Sequence, residues 1–287
     1  YKKIPGSEGL IILDAFKEKN IVWNNAGTTL YDIGDGVLNL EFHTKMNTMG
    51  AEVIEGINKA ITIAEKNFKG VVIGNEGENF SAGANLGMLF MLAGNREFQE
   101  INLSIAAFQN TIMRVRFSSI PVVVATSGLT LGGGCEISMH ADVVRAHTET
   151  YMGLVEAGVG IIPSGAGTKE MALRTSDMYR KGDPELNILM ENFMTIATAK
   201  VATSSKEAVS MNLLRKTDKH TLSRSRLLSD AKKDVISLFE AGYTQKKERE
   251  DIKVQGKSGL AMFEAGIASM RFGNYISEHD KKIAQKI

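Results

Sequence analysis

Ile120-Pro121-Val122-Val123-Val124-Ala125-Thr126-Ser127-Gly128-Leu129-Thr130-Leu131-Gly132-Gly133-Gly134-Cys135-Glu136 is the stretch on which the reading of the fold turns. It opens as a buried strand: the apolar residues after Pro121 are rich in valine and too few for a stable helix. The glycines that follow give a backbone able to bend sharply and to let a ligand approach closely. Cys135 to His140 then reads as a helix start, with Glu136 in the first turn where an acid complements the dipole. Strand, glycine turn and helix N-terminus together aim unpaired N–H groups at one point, which attracts anions or developing oxyanions. A tight core turn followed by a solvated acid explains the same residues equally well. The stretch alone leaves both readings standing.

Outward from it, the pattern is strand, helix, strand. Thr28 to Ile33 and Val37 to Phe42 read as strands joined through Gly34-Asp35-Gly36, a hairpin signal. Gly50 to Asn67 is helical, with Val53, Ile57, Ala60, Ile61 and Ala64 on one face. Gly70 to Gly74 is a second buried strand. It runs into the polar loop Asn75 to Asn85, and a long helix follows in which Ile101, Ile105, Phe108, Ile112 and Val115 step by four and three. Beyond the glycine turn come short strands at Asp142 to Ala146 and Thr150 to Met152, then a loop with a second acid, Glu156. A helix is expected from about Gly167 to Arg174. The remainder reads as helical: Glu185 to Thr198, Ser205 to Met211, Leu222 to Ala241, Ser258 to Phe272 and Ile276 onward, with a charged linker at Gln245 to Gln255. This is α/β patterning with largely buried strands. Residues 1–27 read as a lead-in with one short helix near Asp14 to Lys19, 28–200 as the α/β core and 201–287 as a helical C-terminal region.

With 287 residues the chain can bury a full core, and a net charge of +1 gives no nucleic-acid footprint and no polybasic membrane surface. One cysteine excludes an internal disulfide framework and fits a reducing, cytoplasmic compartment. No apolar run approaches the length of a membrane span, and no signal peptide is visible. Tyr1 in place of methionine, and a helical pattern that reaches Ile287 without a terminator, read as the ends of a piece of a longer chain.

Several stock chemistries fail. There is no Gly-x-Ser-x-Gly elbow and no Gly-x-Gly-x-x-Gly dinucleotide fingerprint, so no NAD is expected in this segment. Gly256-Lys257-Ser258 lacks the first glycine and the strand of a phosphate loop. The histidines are scattered; Glu136 and His140 share a helix face, but no second ligand pair has metal spacing, so no metal is expected. Two acids set after glycine-rich or small residues remain, and paired carboxylates near a polarised carbonyl suit the addition of water. Spacing alone does not bring Glu136 and Glu156 together, and surface acids are the plainer reading.

Three blocks change the balance: Phe80-Ser81-Ala82-Gly83-Ala84-Asn85-Leu86, the strand and turn from Ile120 to Glu136, and Val155-Glu156-Ala157-Gly158-Val159-Gly160-Ile161-Ile162-Pro163. In this order and spacing they resemble the enoyl-CoA hydratase (crotonase) family over about Thr28 to Met211. The resemblance implies a spiral of ββα turns with a helical C-terminal region that supports trimers. It implies that the N–H groups of Ala84 and Gly133 form an oxyanion hole for an acyl-CoA thioester, each worth about 2.7–4 kcal/mol in the transition state. It places Glu136 as base toward water and Glu156 as acid toward the α-carbon, and puts Ala82, Asn85, Leu86 and Gly132 at the substrate. Hydration of a trans-2-enoyl-CoA in β-oxidation is then expected, with a same-fold isomerase or a non-catalytic CoA-binding or assembly module as alternatives.

Two departures stand out: Asn85 where an aspartate is common, and Pro163-Ser164-Gly165-Ala166-Gly167-Thr168 for a more glycine-rich run. The stretch Thr175 to Asn192, with Lys169 to Arg174, Gly256 to Gly259 and Tyr275 to Asp280, is similar to bacterial fusions of a hydratase with a 3-hydroxyacyl-CoA dehydrogenase. Any NAD would belong to that fused part. Met88 to Leu92 read as core more readily than as an acyl pocket.

Overall fold

The computed structural model describes residues 7, 9–16, 19–182 and 184–287. Tyr1 to Gly6, Glu8, Lys17, Glu18 and Asp183, which the sequence assigns to lead-in or connection, lie outside them. One seven-stranded sheet runs through the described residues in chain order: β1 (Ile21–Asn24), β2 (Thr28–Asp32), β3 (Val37–Phe42), β4 (Gly70–Gly74), β5 (Val122–Leu131), β6 (Val143–Gly153) and β7 (Lys219–Thr221). The first three pair antiparallel and the rest parallel. The β2–β3 reversal uses Gly34, Asp35 and Gly36, all at positive φ, so a hairpin is possible there. Parallel neighbours need crossovers, and helices supply them. They are α1 (Ala51–Asn67), α2 (Leu86–Gly94) with α3 (Phe98–Arg116), α4 (Gly133–His140), and the trio α5 (Gly167–Met178), α6 (Glu185–Ala197) and α7 (Ser205–Ser210).

Strands buried on both faces need no polar alternation, which is why Val71-Val72-Ile73 and Val122-Val123-Val124 are apolar throughout. Val71, Ile73, Val122 and Val124 face one core with Ile57 and Ile61 of α1, Ile112 and Val115 of α3, and Ile137 of α4. Val72 and Val123 face a second core closed by Leu228 and Val235 of α8 (Leu227–Glu240). Each such side chain contributes roughly 1.5–3 kcal/mol on burial.

The register of β5 on β6 slips between Thr126 and Gly128, and beyond the slip the strands stay paired from Gly128 with Thr150 to Leu131 with Gly153. Single bridges join Ser81 to Thr130 of β5, Ala202 to Met152 of β6, and Met49 to Ala84 between the loops after β3 and β4. The chain thus spirals, and the loops that follow β3 and β4 are stitched beside the glycine turn. Two last helices, α9 (Gly256–Phe272) and α10 (Glu278–Ala284), complete the C-terminal region, with Phe263 stacked on Phe193 of α6 at 4.2 Å.

Several local expectations need correcting. The lead-in contains β1, and among the described residues its expected helix shows as a 3-10 turn, Leu13–Phe16, with Lys17 and Glu18 lying outside them. The C-terminal region is not wholly helical, since β7 sits at the sheet edge. Its Lys219-His220-Thr221 carries no apolar signal because β7 pairs with β6 alone. The two short strands after α4 are one continuous β6. Helix α4 begins at Gly133, two residues earlier than expected, so the glycine turn itself supplies the first helical N–H.

Candidate active site

Gly132 caps α4 at φ 52, ψ −123, and its N–H donates to the Gly153 carbonyl at 2.9 Å. A Cβ there would sit 3.2 Å from Oε1 of Glu156, so both the backbone and the space call for glycine. Gly133 is the first residue of α4 and its N–H has no intrahelical acceptor. The loop after β4 reaches the same place. Ser81 Oγ donates to the Asn47 carbonyl at 2.7 Å and accepts from Gly83 N–H at 3.1 Å, fixing a sharp bend. A Cβ on Gly83, at φ +91, would lie 2.9 Å from the Leu131 carbonyl and 3.4 Å from the Gly133 nitrogen. Gly83 therefore brings Ala84 against the glycine turn. Among the described residues the N–H groups of Ala84 and Gly133 have no protein acceptor.

Below them Glu136 is 2 % exposed. Its Oε1 accepts the N–H of Gly167, the first residue of α5, at 2.8 Å, and Gly165 N–H also donates to its carboxyl. Burial pushes this carboxyl up to about 8, the nearby Glu156 adds to the push, and the two N–H donors oppose it. Glu156 opens a 3-10 turn, Glu156–Val159, and burial pushes it up to about 7. Its Oε2 is buried with no hydrogen-bond partner among the described residues. Two buried carboxyls that feel each other titrate as a pair and hold one proton between them near neutral pH. A cavity of about 460 Å³ is walled by both glutamates, by Ala84 and Gly133, and by apolar side chains including Met49, Ile54, Leu89 and Phe108. A mostly apolar cavity with a few convergent polar groups fits a small-molecule site.

Of the residues singled out from sequence, Ala84, Asn85, Gly133, Glu136 and Glu156 line this cavity, and Ala82, Leu86 and Gly132 do not. Ala82 gives its N–H to the Met46 carbonyl, and Leu86, the first residue of α2, is 45 % exposed. Gly132 acts through the space it leaves for Glu156. Asn85 has a second job: its side chain accepts Met88 N–H and caps α2. The core reading of Met88 to Leu92 fails, since α2 buries none of its residues. Met88 and Leu89 wall the cavity, whereas Phe90 and Met91 are exposed. Met49, Phe108, Ser164 and Gly165 also wall the cavity, and in the sequence Met49 and Phe108 carry no site signal while Ser164 and Gly165 stand only in the departure from a glycine-rich run. Phe108 carries the same three-and-four spacing as the core residues of α3, which hides it.

Among the described residues no cluster of three His, Cys, Asp or Glu side chains could hold a metal. His140 is buried, its Nδ1 is 2.7 Å from the Glu136 backbone carbonyl, and burial holds it down to about 3, so it stays neutral. Cys135 is buried and burial raises its thiol well above the usual range, which makes it inert. No described helix is long and apolar enough to cross a membrane.

The sequence pattern of the family described as enoyl-CoA hydratase/isomerase matches residues 32–177, just over half of the chain. The chain belongs to that family. A probable 3-hydroxyacyl-CoA dehydrogenase of Bacillus subtilis (strain 168) is 43% identical over 288 residues, covering 100% of this chain and 36% of the relative. A putative fatty acid oxidation complex trifunctional enzyme of Rickettsia felis is 32% identical over 183 residues, covering 64% of this chain and 25% of that protein. The chain thus spans about a third of the first relative's length and a smaller part of the second. Among solved structures, an enoyl-CoA hydratase from Polaromonas sp. JS666 superposes with a TM-score of 0.61 at 20% identity, over 90% of this chain and 88% of that one. One from Bacillus halodurans gives 0.63 at 14% identity, over 91% and 100%. At such identities these matches speak for the fold, and the crotonase-like α/β spiral is the fold of this enoyl-CoA hydratase/isomerase family member.

Proposed function

We propose that this family member hydrates trans-2-enoyl-CoA to 3-hydroxyacyl-CoA. One observation carries the reading: two buried carboxyls share one cavity with two unengaged backbone N–H groups. Ala84 and Gly133 would donate to the thioester oxygen, which gains charge as the enolate forms. Glu136 would take a proton from water while the water oxygen bonds to C3 and the C2–C3 π electrons shift toward the thioester. Glu156 would deliver a proton to C2. Atoms balance, since the pair gives up one proton and receives one. The hydrogen bonds support this division: two N–H donors stabilise a bare Glu136, while the unpartnered Oε2 of Glu156 is better off protonated. The deeper burial of Glu136 works against it, so the proton is shared rather than fixed.

An isomerase acting on 3-enoyl-CoA needs a single base to move one proton, and the second buried carboxyl favours hydration over it. A purely CoA-binding or assembly module is disfavoured because, among the described residues, the donors of Ala84 and Gly133 meet no protein acceptor and both acids reach the cavity. The names of the B. subtilis and R. felis relatives support a further proposal: the chain works in fatty-acid oxidation within a longer polypeptide that also carries a 3-hydroxyacyl-CoA dehydrogenase. From the sequence resemblance alone we add to it a cytoplasmic, trimer-based assembly, with any NAD held by the dehydrogenase part. In this segment only acyl-CoA is needed, and no cofactor.

Loss of the crotonyl-CoA absorbance tests the reaction, with a 3-enoyl-CoA as the competing substrate. Glu136→Gln and Glu156→Gln should each lower hydration by about 10²–10⁴-fold with CoA-ester binding nearly intact. Full hydration by either variant rejects the assignment, and turnover of the 3-enoyl substrate alone makes the protein an isomerase.

A further inference from the structure

Helix α3 carries its apolar stripe from the core into the cavity. Ile112 and Val115 are fully buried, while Phe108, one turn earlier, is half-buried against the glycine turn. A Cβ on Gly133 would meet Phe108 Cζ at 3.0 Å. A Cβ on Gly165 would meet Phe108 Cε1 at 2.3 Å and Glu136 Oε2 at 2.4 Å. One point in space thus touches both the ring edge and the carboxyl. Only glycine at 165 lets them lie side by side. The neighbouring Gln109 donates from Nε2 to the Ser164 carbonyl at 2.6 Å, which latches α3 to the loop carrying Gly165.

We propose that Phe108 is a positioning residue for the hydration reaction: its ring, wedged between Gly133 and Gly165, shields the Glu136 carboxyl from solvent and fixes the reacting end of the acyl chain. This rests on the function proposed above. The groups facing Glu136 are few. Glu156 faces it from the 3-10 turn, and the N–H groups of Gly165 and Gly167 face it from the approach to α5. On its own helix Cys135 is buried, and His140 faces its backbone carbonyl. From α3 comes the ring, which has no charge. Removing the ring admits water on that side and lowers the penalty on the charged carboxyl.

The test is a titration of 13C-labelled glutamate carboxyls by NMR, in the wild type, Phe108→Ala and Phe108→Leu, alongside the pH profile of crotonyl-CoA hydration. Phe108→Ala should titrate Glu136 about one pH unit lower. It should also lower kcat/KM roughly tenfold, because the substrate's position is then less restricted. Phe108→Leu fills most of the space and should move both in the same direction by less than half as much. A wild-type Glu136 titration in the alanine variant, or in the leucine variant should alanine not fold, overturns the proposal. So does an equal loss of kcat/KM in both variants without any change in that titration. Should the wild type hydrate nothing, the function fails while the carboxyl titration still reads the ring.

Discussion

Glu136 on α4 and Glu170 on α5 are both buried glutamates of one layer, and they have opposite chemistry. Burial acts on each in the same direction. Around Glu170 it is overcome by the guanidinium groups of Arg174, Arg116 and Arg215, which hold the carboxyl down to about 2. Arg174 Nε donates to Oε1 at 3.0 Å and Arg116 Nη1 donates to Oε2 at 2.9 Å. Arg174 and Arg215 continue to the Met139 carbonyl at the end of α4, each at 2.7 Å, so one carboxylate ties α3, α4 and α5 together. Glu136 has two backbone donors and a second acid beside it, and burial wins. A buried carboxylate ringed by guanidinium groups is anchored; one left beside another carboxyl is ready to exchange a proton.

The sharpest way to break the contrast after the activity test is to remove the anchor. Glu170→Gln leaves Arg116, Arg174 and Arg215 around a neutral amide, and should cost about 3–5 kcal/mol in urea unfolding. Glu136→Gln should do the reverse and raise stability at neutral pH and above, because no charge is then forced into the interior. A glutamine at 136 as destabilising as one at 170 would erase the difference between the sites.

A pH series separates the pair again, with a smaller effect. The carboxyls of Glu136 and Glu156 have folded values raised from 4.5 to about 8 and about 7. Their contribution is fully present below about 4.5 and is lost as pH rises through 7 to 8. Glu170 is depressed from 4.5 to about 2, so its contribution is present above 4.5 and is lost as pH falls toward 2. Thermal melts from pH 3 to 9 should show a shallower alkaline decline in Glu136→Gln, with the part that burial of Glu156 causes retained, and an unchanged acid one. The converse pattern, or no change on either side, contradicts these opposite signs.

The two sites also differ in how far the sequence reveals them. Glu136, Glu156, Ala84 and Gly133 lie in three local blocks whose glycines and small residues stand out from periodic patterning, and a resemblance joins those blocks. Glu170 has no such signature: Arg116, Arg174 and Arg215 come from different parts of the chain, and each alone reads as a surface charge. Phe108 and Met49 are hidden for another reason, since an apolar residue at helical spacing reads as core whether it meets a leucine or a ligand. Helix α2 shows the converse. Its run of leucines, methionines and phenylalanine looks buried, yet α2 buries none of its residues and only its Met88 and Leu89 wall the cavity.

The smallest predicted effect concerns backbone strain. Ala166 sits at φ 81, ψ 15 as the cap of α5, between the two glycines whose N–H groups hold Glu136. A left-handed alanine costs about 1–2 kcal/mol, while glycine carries an entropic penalty of roughly 0.5–1 kcal/mol in the unfolded chain. Ala166→Gly should therefore gain less than about 1 kcal/mol in thermal unfolding. The gain comes with a looser loop, so the N–H groups of Gly165 and Gly167 spread over more positions and hydration falls a few-fold. The matched position on the anchor side is Asn212, at φ 60, whose carbonyl accepts from Arg174 Nη1 at 3.0 Å. Asparagine tolerates this conformation better than alanine does. Asn212→Gly should thus gain less from relieved strain and leave turnover unchanged. Equal responses of stability and turnover at 166 and 212 would mean that the strain beside Glu136 is unconnected with its chemistry.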